Sequence, residues 1–198
     1  MEESPAVSSD RPYLELTLGA WLDELAAARA APGGGSALGF AVATAAAVAA
    51  MAARVSKNGG LVAQAETLRA RAAPLAQLDA DTYEQALVAR DAAKELPAEH
   101  RDFEIGRAFA RAAEPPLEIA RVAADVAELA EELARVGDPK VRADAIAAAS
   151  IAAAAARGAV AMVEVNLTAV EGDPRIDEAS RYAEHAETSA HRAMVSTA

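Results

Sequence analysis

Pro32-Gly33-Gly34-Gly35-Ser36 leads straight into Ala37-Leu38-Gly39-Phe40-Ala41-Val42, and the apolar run continues through alanine and valine to Val55. This run decides the fold class. Alanine is the strongest helix former, and its small side chain lets helices pack closely. Each glycine disfavours a helix interior by about 1 kcal/mol relative to alanine, yet helix-prone sequence follows the three glycines at once. They read as a turn that opens a helix, with Ser36 as its N-cap. Such an opening leaves bare N–H groups at the positive end of a helix dipole, which suits an anion. Glycine also lets a ligand or another backbone approach closely.

Working outward, 198 residues suit one domain with a real core. Hydrophobic residues make up 53% of the chain and aromatic residues only 4%, so the apolar mass is small and aliphatic. The expected architecture is all-α: a single-domain bundle of long helices with a buried, alanine-rich central helix. Without cysteine there are no disulfides, thiolate metal sites or cysteine nucleophiles. The formal net charge of -11 opposes a nucleic-acid surface and gives an anionic ligand no long-range attraction. The Ala37 to Val55 run is long enough to span a bilayer. It has few strongly lipophilic residues and no aromatic or basic belt at both ends, so it reads as a buried helix of a soluble, cytoplasmic protein with no membrane partner.

Residues 1–12 read as a loose tail and 13–198 as one helical domain. Thr17 is placed to cap a first helix, Leu18 to Ala31, with Leu18, Trp21, Leu22 and Leu25 on one face. The helix after the glycines ends at Lys57-Asn58-Gly59-Gly60, where Asn and Gly favour the left-handed cap. A third helix runs from Leu61 to Leu96, with Pro74 as a kink point. Its stripe of Leu61, Ala65, Leu68, Ala72 and Leu75 carries on to Asp79, Thr82 and Ala86. A carboxylate on a core stripe is costly without a partner, which marks Asp79. A fourth segment from Glu99 breaks at Pro115-Pro116. A second stripe then runs from Ile119 to Val136. Gly137-Asp138-Pro139 ends it and starts a fifth helix, Pro139 to Val170. In that apolar helix Asp144, Arg157, Glu164 and Asn166 stand out. A polar last helix follows Gly172-Asp173-Pro174. His100, His185 and His191 are scattered on polar segments, and no metal is assigned.

The ordered set Ala31-Pro32-Gly33-Gly34-Gly35-Ser36, Asp79 with Tyr83, Lys94-Glu95-Leu96-Pro97, Pro116-Leu117-Glu118-Ile119-Ala120, Gly137-Asp138-Pro139 with Asp144, Ala156-Arg157-Gly158-Ala159 and Val165-Asn166-Leu167 covers most of the chain. It resembles the formimidoyltetrahydrofolate cyclodeaminase and methenyltetrahydrofolate cyclohydrolase family. The resemblance implies a helical homodimer with a folate cleft near the glycine loop and no cofactor besides the folate substrate. It implies hydrolysis of 5,10-methenyltetrahydrofolate to 10-formyltetrahydrofolate. The alternatives are loss of ammonia from 5-formimidoyltetrahydrofolate, or a non-catalytic folate-binding or scaffold homologue. The chain departs from the family pattern in three places. Lys57 is displaced from the usual Gly-Lys, Ala143 stands where serine is common, and Met162 where asparagine is common.

The methenyl carbon is already electrophilic. Its hydrolysis needs a base for water and an acid for the departing ring nitrogen, work that suits buried carboxylates. Asp144 is the first candidate and Asp79 the second. By residue chemistry alone, Asp144 reads better as an ordinary first-turn Asp favoured by the dipole, and the resemblance reverses that; Asp79 is equally a carboxylate held by an arginine or a backbone N–H. Pro32, Gly33, Gly34, Gly35, Ser36, Lys57 and Asn166 are the candidate substrate-binding residues. The bland alternative for Asn166 is a helix-to-helix hydrogen bond.

Overall fold

The structure is a computed structural model that describes residues 11–168 and 172–195. Residues 1–10 of the expected tail and the expected helix end at Val170 lie outside the described residues. The described residues form eight α-helices: α1 (Leu18–Ala26), α2 (Gly34–Val55), α3 (Gly59–Ala72), α4 (Leu75–Ala92), α5 (Ala98–Ala112), α6 (Glu114–Val136), α7 (Arg142–Asn166) and α8 (Pro174–Val195). Among them there is no strand, in line with the alanine-rich composition.

α6 is the keel of the bundle. Its 3/4-spaced stripe, from Ile119 through Val122, Val126 and Leu129 to Leu133, is buried. It packs against α2, α3, α7 and α8, which lie side by side above it. α2 and α7 are adjacent and antiparallel: Gly34 lies beside Met162 and Gly158 beside Leu38. The alanine-rich α2 is central, touching α3, α4, α6 and α7. It still leaves a stripe exposed through Thr44, Ala47 and Met51, of which Thr44 and Ala47 line a groove with Tyr13, Leu14 and Trp21. By length and composition alone, α2 and the Pro139–Asn166 stretch would cross a membrane, and each turns about half of its most apolar window into the bundle.

Several expected boundaries move, each for a local reason. α1 ends at Ala26 instead of Ala31, and Leu18 and Leu22 face solvent at 73% and 53% exposure. Only Trp21 of that face is buried, with its ring tilted against Tyr13 and edge-to-face with Phe40. The expected third helix is two, because Pro74 removes an N–H at the joint. α2 begins one turn early: Gly33 is its N-cap, and Ser36 lies inside the helix. Lys57, not Asn58, takes the left-handed conformation at φ 54. The Asn58 side chain instead caps α3, accepting from the Leu61 N–H at 3.1 Å. A single 3-10 turn, Pro139–Val141, precedes α7.

α2 and α4 approach each other closely at Gly39. A Cβ on Gly39 would sit 2.8 Å from the Ala76 backbone nitrogen and 3.2 Å from its Cα. Backbone cannot step aside as a side chain does, so Gly39→Ala should destabilise by about 1–3 kcal/mol. Gly60→Ala serves as the contrast. Its Cβ would meet only Asn58 Oδ1, at 3.5 Å, and losing an exposed helical glycine should stabilise by about 0.5–1 kcal/mol. Urea denaturation of the two variants, read as opposite shifts of the midpoint, checks both signs.

Candidate functional site

The same approach of α4 to the start of α2 builds the site. Asp79 lies one turn beyond Ala76 on α4 and reaches the first turn of α2. A Cβ on Gly35 would overlap its carboxylate, so glycine is required there by contact. Ser36, fully buried, donates its hydroxyl to Asp79 Oδ2 at 3.3 Å, and its backbone N–H also bonds the carboxylate. The bare N–H groups expected at the glycine turn therefore receive an anion from within the chain. Burial pushes the Asp79 carboxyl up to about 6; the Ser36 bonds pull the other way and are outweighed.

Beside this carboxylate is a cavity of about 190 Å³. Gly33, Gly34 and Gly35 form one wall, Asp79 and Tyr83 of α4 a second, and Met162 and Asn166 of α7 a third. Tyr83 packs edge-on against Phe109 of α5, with ring centroids 6.2 Å apart. Asn166 is buried, and its amide nitrogen donates to the Ala112 carbonyl at 2.9 Å. Arg175 donates to the Ala110 carbonyl at 2.7 Å. Together they satisfy orphan carbonyls at the end of α5 and lock that end against the cavity floor. The helix-to-helix bond weighed for Asn166 is thus present, at a position that also lines the cavity.

The expected site residues divide into two groups. Gly33, Gly34, Gly35, Ser36, Asp79 and Asn166 come together, and the buried Pro32 supports the turn. Asp144 and Lys57 do not join them within one chain. Asp144 stands 22 residues before Asn166 on α7, about 33 Å away at 1.5 Å per residue. Lys57 follows the far end of α2. Arg157 points away from the cavity into an ion pair with Glu187 of α8. Within a chain Asp79 is therefore the carboxylate of this cleft. Met162, marked in the sequence only as a departure from the family pattern, and Val165, given there no site role, also line the cavity. Met162 stands one turn before Asn166 on α7, and that spacing was the available signal.

A larger groove of about 520 Å³ between α3 and α6 is lined by Asp125, Glu128 and Glu132. Its charge repels an anionic ligand, and no glycine turn opens onto it. The cleft at Asp79 is the better candidate.

A model of the family described as formiminotransferase-cyclodeaminase matches residues 17–185. Among solved structures, the chain is similar to a crystal structure of formiminotetrahydrofolate cyclodeaminase from Thermotoga maritima. The TM-score is 0.79 and the identity 24%, and the match covers 91% of this chain and 94% of that one. At that identity the likeness speaks for the fold. No curated protein gives a significant match.

The raised carboxyl has a sign that can be checked. Asp79 binds its proton more tightly in the folded chain, at about 6, than in the unfolded chain, at 3.8. Its contribution to stability is therefore fully present below pH 3.8 and is lost as pH rises through 6. Asp79→Asn should match the wild type near pH 3.5 and exceed it by roughly 2 kcal/mol at pH 8, a figure reduced for the water that reaches the carboxylate. Urea denaturation of both proteins across that pH range measures the difference.

Proposed function

The chain belongs to the formiminotransferase-cyclodeaminase family, and we propose that it is a folate one-carbon enzyme that forms 5,10-methenyltetrahydrofolate from 5-formimidoyltetrahydrofolate with release of ammonia. The observation that carries this reading is Asp79, a single carboxyl poised near pH 6 at the mouth of the glycine turn.

The reaction needs one proton moved between two nitrogens. N10 of the folate attacks the carbon of the protonated formimidoyl group: the carbon–N10 bond forms, the carbon–nitrogen π bond breaks to leave a neutral amino group, and N10 becomes positively charged. Asp79, as carboxylate, takes the N10 proton and hands it to the amino group on the same carbon. The carbon–amino bond then breaks, ammonia leaves, and the charge remains on the N5–carbon–N10 bridge. A group with pKa near the working pH does both halves of such a transfer. The carboxylate also faces a cationic carbon throughout, which favours the charged bridge. Ser36 and the α2 N-terminus hold the carboxylate in one place, and Asn166 and Tyr83 shape the pocket around the ring system. Hydrolysis of the methenyl compound would instead use a base on water and a separate acid. Within one chain this cleft holds one such carboxyl, which favours ammonia release.

The test is direct. Formimidoyl substrate given to the purified protein should produce the near-ultraviolet methenyl band with one ammonia per turnover. Asp79→Asn should lower the rate by about 10²–10⁴-fold. A methenyl band that decays faster with protein than in buffer would identify the hydrolase instead. Calorimetric binding of a reduced folate with neither reaction would identify a non-catalytic homologue. We also take the working unit to be a homodimer, so light scattering at micromolar concentration should return twice the chain mass of 20.3 kDa. A value of one chain mass would remove that assignment.

A further inference from the structure

We infer that Arg111 is an anion subsite beside the Asp79 cleft: it takes a carboxylate of the folate's glutamate tail in the groove between α4 and α5. The inference rests on the folate reading of the cleft and says where the rest of that ligand lies.

The cleft at Asp79 does not enclose a whole folate. Its volume of about 190 Å³ is below the roughly 300–1,000 Å³ usual for a site that encloses a ligand, so the tail must continue over neighbouring surface. A cavity of about 310 Å³ opens between α4 and α5, with Thr82, Gln85 and Ala86 on one wall and Arg107, Ala108 and Arg111 on the other. α4 carries both sites. Thr82 stands three residues past Asp79, about 4.5 Å along the axis, and Ala89, at the far end of the groove, ten residues past it, about 15 Å. Tyr83 lines the cleft, and its ring meets Phe109 of α5 edge-on. That aromatic pair is the step between the two spaces, a surface suited to the aminobenzoyl ring that joins the head of folate to its glutamate.

Charge picks out Arg111. Of the other arginines on these two helices, Arg90 pairs with Asp91, Arg101 with Asp102 and Arg107 with Glu104. The Arg111 guanidinium makes no ion pair among the described residues. Two carboxylates also line the groove. Glu104 is held by Arg107, and Glu114 interacts with the Arg175 guanidinium of α8. The groove therefore keeps one uncompensated positive charge, on a chain whose formal net charge is -11. A guanidinium offers a carboxylate two parallel N–H bonds, and Gln85 on the opposite wall adds an amide donor. Lys57, at the far end of α2, and Arg157, paired with Glu187, leave this role to Arg111 within one chain.

The backbone under Arg111 is fixed from both sides. Arg175 donates to the carbonyl of Ala110, and Asn166 to that of Ala112. Asn166 also lines the cleft. Two polar clamps on a helix that buries only Ala112 thus hold one exposed guanidinium at a set distance from the reacting carboxyl.

Two substrates that differ only in the tail test this: 5-formimidoyltetrahydrofolate, and an analogue cut back to a neutral benzamide where the glutamate was. For the wild type, losing the glutamate should raise KM. Arg111→Gln, at an exposed position with no ion pair to lose, should lower kcat/KM for the folate by roughly ten- to a hundred-fold through KM, with kcat kept. It should leave the benzamide analogue unchanged. Arg111→Lys, which keeps the charge and loses the fork, should fall between. Arg101→Gln, outside the groove, should match the wild type. Equal loss on both substrates, or no loss on the folate, overturns the subsite. Binding gives a readout without turnover. In calorimetry at low salt, p-aminobenzoylglutamate should bind the wild type more tightly than p-aminobenzamide, and Arg111→Gln should abolish the difference. A difference that survives the substitution also overturns the subsite. An Arg111-dependent preference without any turnover would remove the proposed reaction and keep the subsite. Turnover that ignores both the tail and Arg111 would do the reverse.

Discussion

The contact between the Asp79 carboxylate and the first turn of α2 holds the rest in place. It requires glycine at position 35, because a side chain there would overlap the carboxylate. It also requires glycine at position 39, one turn later on the same face, where the α4 backbone crosses. Pro74 breaks the preceding helix so that α4 can take that crossing path. The carboxylate in turn answers the unsatisfied N–H groups of the glycine turn. Its burial raises its affinity for a proton, so packing and chemistry meet at one atom group.

The second constraint is at the floor. Asn166 and Arg175 reach from α7 and α8 to the last carbonyls of α5. α5 would otherwise be a weakly held hairpin on α4, since it buries only Ala112 of its own residues. Polar side chains do there what the apolar core does elsewhere. Asn166 both lines the cavity beside Asp79 and ties down the end of α5.

Much of this was legible in the sequence. The glycine turn ahead of an apolar run gave the position of α2, and counting the 3/4 stripe from Leu61 placed Asp79 on a packed face. The prolines marked the breaks. Ser36 was misplaced because a serine after glycines resembles a cap, whereas its hydroxyl is turned to a residue 43 positions away. The exposed stripe of α2 was illegible for a clear reason: an alanine-rich helix has no polar side to show which face is out. The separation of Asp144 from Asn166 was available all along, since both belong to one unbroken helix and its length fixes their distance.

The alanine core has a consequence in entropy. Burying a leucine costs about 0.5–1 kcal/mol of lost rotamer freedom and a lysine up to about 2 kcal/mol, and burying alanine costs none. Ala45, Ala46, Ala49, Ala52 and Ala53 of α2 are fully buried in this way, as are Ala148, Ala149, Ala152 and Ala156 of α7. Such an interior has almost no side-chain states to rearrange. It cannot absorb a larger residue by turning a neighbour aside, so any strain passes directly into the spacing of the helix axes. The cleft walls are segments of those same helices. Its geometry is therefore written in backbone positions, and a methyl group added many residues away would be felt at the carboxylate.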